Sequence, residues 1–412
     1  MLFARLPLIM AALAFAISAL WATRVAVLEN HAEDLFIYTA GAGLAVEGRS
    51  PYDLAALHEL VEAQYPGDPN LTGNNGFFLS PVALWIFAPF SLLPWIACKI
   101  AWSILSAALA VAVGWQLGKL TPAPLPPWAT AVGIAIVVLN PMTQFVLMVG
   151  QTTILMLGLV VFGELAHRRG WKRLSCLLWG LAFFKPHLAL VLLPLAWGLS
   201  GWRRTAEVAA WAGGLTLLAG LAFFQKPLFV LDYLQFVQQG HQTVEYNRAT
   251  VNKQITSWNR LLFSAGGPGF ELGLTGTLAG LAAMTVLVAI RSWWSSRSEV
   301  PVDRSTWLLA CAGAAMTQCC QVLPYELPLL LLVLPYLAEG LRTGSLLERT
   351  IAALLGAFVA YAFVSGGDDL PYYRFLHSLV PPGGLRLLLE SHRSLGTFGA
   401  TALILVGGPR RI

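Results

Sequence analysis

The sequence predicts a polytopic, all-helical membrane protein, and three observations carry that prediction. The 412 residues are 57% hydrophobic and only 11% charged, the mean hydropathy is +0.67, and apolar runs of spanning length recur from one end to the other. Too little polar surface is left for a soluble globular class. The acidic and basic totals, 21 and 26, nearly balance and no long basic run occurs, which removes a nucleic-acid partner. Cys98, Cys176, Cys311, Cys319 and Cys320 lie mostly within apolar stretches and lack ligand spacing, so neither a disulfide framework nor a metal site is expected.

The first element is an apolar helix from about Leu6 to Leu28, long enough to span and followed by residues that continue in helical register, which separates it from a cleaved leader. Further spans are expected near 77–92, 95–118, 128–148, 151–166, 174–199, 205–224, 273–291, 306–321, 324–341, 350–366 and 394–408, about twelve in all. Arg291, Arg297 and Arg304 share one loop, Arg342 and Arg349 another, and Arg410 and Arg411 close the chain. With both termini inside, all of these fall on the cytoplasmic face. One stretch breaks the count, because His167–Arg173 and Trp202–Arg204 both read as cytoplasmic while a single span between them would separate them. Pro186, just after Lys185, allows two half-helices that meet inside the membrane, a conformation tolerated only where the backbone lines a cavity. The parity between 128 and 204 stays open.

Three long segments, 28–76, 225–272 and 367–393, are expected outside. The first carries Glu29, Glu33, Asp34, Glu47, Asp53, Glu59, Glu62 and Asp68 against Arg49 alone, and so makes the outer face the catalytic one. Asp53 is placed to N-cap a short helix whose Leu54, Leu57, Leu60 and Val61 form an apolar stripe lying along the interface. Glu33 and Asp34, delivered where the first membrane helix meets water, are expensive to keep without a task. A carboxylate there can take the proton from an attacking hydroxyl. On a helix the two side chains point about 100° apart, so one of them can face a given cavity, and Tyr38 shares the face of Asp34. The competing reading of Asp34 is a helix-start carboxylate favoured by the macrodipole.

Several motifs, taken in order, resemble glycosyltransferase family 87, the polyprenol-phosphate-mannose-type enzymes of the GT-C fold. They are Asp34 to Tyr38, Gly48-Arg49-Ser50-Pro51-Tyr52-Asp53, Phe78 to Pro94 with Ser80-Pro81, Gly150-Gln151, and Gly180-Leu181-Ala182-Phe183-Phe184-Lys185-Pro186. The resemblance is close over the first half of the chain and loose over the second. It implies inverting transfer of a sugar, mannose or another hexose or pentose, from a polyprenyl-phosphate donor to a lipid or glycan acceptor at the outer face of a bacterial inner membrane. It also implies that Asp34 is the general base.

The departing phosphate needs cationic or amide donors and no strong acid. Lys185, flanked by Phe184 and Pro186 in an apolar run, is suited to that role, its alternative being a structural pair with a carboxylate. Arg260 is a second phosphate candidate or a snorkelling interfacial residue. Gln151 and His187, polar groups at breaks in apolar helices, are candidates to hydrogen-bond sugar or phosphate, and for His187 a packed, satisfied histidine is the other reading. Tyr38, Tyr52, Asn259, Tyr325 and Glu326 complete the expected substrate contacts, the last two because the family places polar residues at that external turn. This chain lacks the histidine that some mannosyltransferases of the family carry there, which puts mannose in doubt. No cofactor or metal is expected, and without a Walker loop or a dinucleotide fingerprint soluble nucleotide-sugars are poor donors.

The expected organisation is a single integral domain over 1–412. Residues 1–224 form the catalytic module with loop 28–76, and 225–412 supply more variable helices with loops 225–272 and 367–393. A secondary transporter or lipid flippase is the alternative function, weakened by the absence of an inverted repeat. Oligomeric state is not readable.

Overall fold

The computed structural model describes residues 2–28, 32–66, 76–243, 282–283, 285–290, 293, 297, 302–318, 324–364, 392–407 and 410–411. The described chain is almost wholly helical, and its one strand pairing is a two-residue contact of Val302–Asp303 with Arg410–Arg411. Among the described residues three helices are long and apolar enough to cross a membrane, within Arg5–Leu28, Trp95–Leu120 and Trp202–Phe224. A bent pair, α6 (Pro127–Leu139) and α7 (Pro141–Val149), is long and apolar enough when taken together, with a 46° angle at the break. Asn140 causes the bend: it precedes a proline, which disfavours helix there, and its side chain accepts from the Thr143 amide to cap α7.

The chain starts with α1 (Leu2–Leu28), which packs against α5 (Trp95–Leu117) and α6. The expected external loop 28–76 is largely helical in its described residues. Within 28–76 the described residues hold α2 (Glu33–Val46) and α3 (Leu54–Gln64), and α4 (Leu84–Ser91), entered by a 3-10 turn over Pro81–Ala83, falls in the span expected at 77–92. Asp53 caps α3 through the amides of Ala55 and Ala56. Leu57 and Val61 turn into the core as the stripe requires, but Leu60 points out and is 38% exposed. The span expected at 77–92 is cut to Pro81–Ser91, about 16 Å of rise at 1.5 Å per residue, roughly half a hydrocarbon layer.

A hairpin replaces the single span expected at 174–199. After α8 (Thr153–Arg168) the chain rises through α9 (Lys172–Leu181), breaks at Ala182–Lys185, and returns through α10 (Pro186–Ala189) and α11 (Leu192–Ser200) to the start of α12 (Trp202–Phe224). Its two feet meet, since Ser200 Oγ lies 2.7 Å from His167 Nε2. Both basic clusters therefore sit at one end of the bundle, which removes the parity conflict. Lys185, at φ −115 and ψ 79, stands before Pro186, and the proline ring excludes the helical conformation there. The carbonyls freed at this break are used by Ser80: its hydroxyl donates to Phe183 O at 2.7 Å and its amide to Phe184 O at 3.0 Å.

Beyond α13 (Val230–Thr243) the described elements are a helix at Arg304–Gln318, a 3-10 helix at Pro324–Val333 running into Leu334–Thr343, and helices at Leu346–Val364 and His392–Gly407. The 3-10 helix packs on Arg304–Gln318, α7 and α8, which carries the start of the second half into the first-half core. Segments 244–281 and 365–391, with most of the span expected at 273–291 and most of loops 225–272 and 367–393, lie outside the described residues.

Candidate active site

Asp34 stands in the first turn of α2, just beyond the first span. The residue before this helix, Ala32, adopts left-handed φ 85 and ψ 36, is buried and gives no side-chain cap, so the helix start is held by packing. Glu33 and Asp34 then occupy the turn where the macrodipole favours negative charge. Gly150 brings the partner of Asp34 into reach. It ends α7 in the left-handed conformation at φ +73, and a Cβ at this position would lie 2.5 Å from the Cβ of Leu35. Only a glycine lets the α7–α8 junction press this closely on α2, and Gln151 follows it directly.

Gln151 is the hub. Its Nε2 donates to Asp34 Oδ2 at 2.8 Å, while its Oε1 accepts from the Tyr38 hydroxyl at 3.0 Å, from Lys185 Nζ at 3.2 Å and from the Thr152 amide at 3.3 Å. The amide's orientation is chemically forced, because the flipped form would set its NH2 against three donors and its oxygen against a carboxylate. Lys185 Nζ also donates to Glu326 Oε1 at 3.2 Å, and His187 Nε2 lies 3.6 Å from the same oxygen. A continuous polar line therefore runs from Asp34 through Gln151, Lys185 and Glu326 to His187. It joins four separate parts of the chain.

Exposure divides this line by role. Gln151, Lys185, Glu326 and Tyr38 are buried, whereas Asp34 is partly exposed and the side chain of His187 is 35% exposed. The two ends of the line are thus the groups a substrate can reach. Burial pushes the Asp34 carboxyl up from 3.8 to about 6. The Gln151 hydrogen bond opposes that rise, Glu33 adds to it, and Lys185 opposes it. A carboxylate with that value is a stronger base than an ordinary one and is still ionised at neutral pH.

The other expected contacts are distributed differently. Lys185 has its carboxylate partner in Glu326, so the ion-pair reading of the sequence is realised. Tyr52 is buried among Phe77, Phe229, Tyr233 and Phe236 and donates its hydroxyl to Leu79 O at 3.1 Å, so it packs the cap of α3 onto α13 and has no hydrogen bond to the polar line. Tyr325 belongs to the 3-10 helix that carries Glu326. Asn259 and Arg260 lie outside the described residues.

Two features escaped the sequence reading. Ser80 is the latch on the hairpin tip, a role set by partners far along the chain. Lys99, 2% exposed, donates to Ala26 O at 2.7 Å, lies 5.0 Å from the Trp95 ring centroid, and is close enough to Glu33 to feel its charge. A lysine near the start of an apolar span is its signal in the sequence.

Comparison with curated proteins and with solved structures gives no match. A family model does match, over residues 77–324, a stretch that holds Ser80, Gln151, Lys185 and His187 and leaves Asp34 before it and Glu326 just after it. By that match the chain belongs to glycosyltransferase family 87, and this helical membrane protein is a glycosyltransferase.

Proposed function

We propose that the protein is an inverting glycosyltransferase that moves a sugar from a polyprenyl-phosphate donor to a lipid or glycan acceptor at the periplasmic face of a bacterial inner membrane. The observation that carries this reading is the line Asp34–Gln151–Lys185–Glu326–His187, a partly exposed carboxyl at one end and a partly exposed imidazole beside the Lys185–Glu326 ion pair at the other. Asp34 takes the proton of the acceptor hydroxyl as its oxygen attacks the anomeric carbon from the face opposite the phosphate. The C–O bond to phosphate breaks with its electron pair, and the phosphate leaves as a stable anion. Gln151 aims the carboxylate and ties its position to that of Lys185. His187 is the group at that end open to the phosphate, and buried Lys185, paired with Glu326 behind it, acts on the phosphate through its charge, with Arg260 a further candidate.

Membrane geometry supports the same assignment. With the N-terminus inside, the end that holds the His167–Arg173 and Trp202–Arg204 clusters is cytoplasmic, and Asp34 and Gln151 belong to the opposite end. A polyprenyl tail is desolvated only in lipid, so the donor enters sideways and the acceptor from water. The test is transfer from a panel of short-chain polyprenyl-phosphate sugars by purified protein. Transfer from at least one donor supports the reading. Absence of transfer from all of them, together with substrate-dependent transport in vesicles, would favour a transporter.

A further inference from the structure

The bundle end remote from Asp34 holds a second buried ionic cluster, and the proposed chemistry does not use it. Glu164 is 2% exposed: its Oε2 accepts from both terminal nitrogens of Arg204 at 3.2 Å, and its Oε1 accepts from Arg168 Nε at 3.2 Å. Arg204, 5% exposed, also donates to Ser175 Oγ at 2.9 Å and lies 4.0 Å from the Trp179 ring centroid. Arg168 donates to Leu120 O at 2.9 Å. These residues come from the end of α8, the rising arm α9 and the start of α12, and with His167 and Ser200 they enclose both feet of the hairpin.

Burying the Glu164–Arg204 pair, with Arg168 reaching it from the surface, is a poor way to stabilise a bundle, since an apolar replacement of equal shape is often neutral or better. A fixed register is the better-attested return on such groups. Here register has a physical need. The arm α9 is flanked by close glycine approaches on both sides: a Cβ on Gly163 would lie 2.3 Å from Trp179, and a Cβ on Gly180 would lie 2.6 Å from the Cβ of Trp211 of α12. A slip of one turn, about 5.4 Å, would carry Lys185 out of its 3.2 Å bonds to Gln151 and Glu326.

We propose that Glu164, Arg204 and Arg168 are positioning residues, a clamp on the feet of the hairpin that sets the height of Lys185 and His187 at its tip. Thr153 and Glu164 are about 16 Å apart along α8 at 1.5 Å per residue, so the clamp acts through a rigid rod and not by contact with the reacting atoms. The inference rests on the reading that Lys185 and His187 receive the donor phosphate.

The test compares native protein with Arg204→Gln and Arg204→Lys, full length in detergent, well below each thermal midpoint. Arg204→Gln is expected to lower kcat roughly tenfold to a hundredfold, as for a catalytic group displaced by about an ångström. It should also move the acid limb of the pH profile upward as Lys185 draws away from Asp34, and Arg204→Lys should restore part of both. A second arm needs no activity. Ala182→Cys places a thiol in a fully buried position at the tip, and its maleimide labelling, followed on the peptide that contains it, should rise at least tenfold when Arg204→Gln is added. A lower midpoint with unchanged kcat, pH limb and labelling overturns the clamp, as does a lower kcat with unchanged labelling. Faster labelling in a protein that transfers no sugar keeps the clamp and refutes the proposed function.

Discussion

Removing the charge of Glu326 should destabilise the fold as well as the site. The carboxylate and its lysine partner are 6% and 4% exposed with 3.2 Å between nitrogen and oxygen. At an effective dielectric of about 20 that separation corresponds to an attraction of roughly 5 kcal/mol. Breaking a buried pair from one side typically costs about 3–5 kcal/mol, because the surviving charge keeps its desolvation penalty. Glu326→Leu should show the full effect and Glu326→Gln less, since an amide oxygen still accepts from Lys185. Coupling is the sharper readout: Lys185→Met with Glu326→Leu removes both charges, and the double variant should be more stable than Glu326→Leu alone. Thermal midpoints in one detergent give the ranking. If Glu326→Leu unfolds with the native protein, or the double variant is the least stable, the two groups do not form the buried pair described.

Other outcomes follow from the same geometry. kcat/KM should fall on the acid side with an apparent value near 6 as Asp34 takes up its proton, and Gln151→Leu, which removes a bond to the ionised form, should move that limb to higher pH. In stability the sign is opposite: the folded protein holds this proton more tightly than the unfolded chain, so the contribution is complete below 3.8 and is lost as pH rises through about 6. Gly150→Ala imposes a left-handed conformation costing about 1–2 kcal/mol on a residue with a side chain and sets its Cβ 2.5 Å from Leu35. Turnover should therefore drop further than the midpoint does. Tyr52→Phe loses one buried hydrogen bond, worth about 1 kcal/mol. An unchanged donor KM would identify Tyr52 as a core residue and a raised one as a substrate contact.

Sequence reasoning reached some parts of this molecule because they are written locally. An uninterrupted apolar run gives α1, a carboxylate at the start of the next helix gives Asp34, and a proline after a lysine gives the break at Lys185. The broken-helix reading of 174–199 followed from two basic clusters that could not lie on opposite faces, and the structure brings them together at Ser200 and His167. The span expected at 77–92 failed for an equally physical reason, since hydropathy counts apolar residues and does not see that Ser80 is used to cap a broken hairpin. Pairings across long separations were out of reach: nothing near Lys185 names Glu326, 141 residues away. Glu164 is legible in the sequence on its own terms. A carboxylate inside the apolar run 151–166, a turn before Arg168 and facing a second basic cluster, asks for a buried partner.

The central claim is that Asp34 accepts the acceptor's proton, and the most direct measurement is sugar transfer by Asp34→Asn beside the native protein, with donor binding and thermal midpoint recorded for both. The amide keeps the size of the group and cannot take the proton. Turnover should fall by about 10²- to 10⁴-fold, the usual contribution of a general base, with donor binding retained and the fold intact. An Asp34→Asn protein that transfers sugar at the native rate would contradict the account and move the base to another residue.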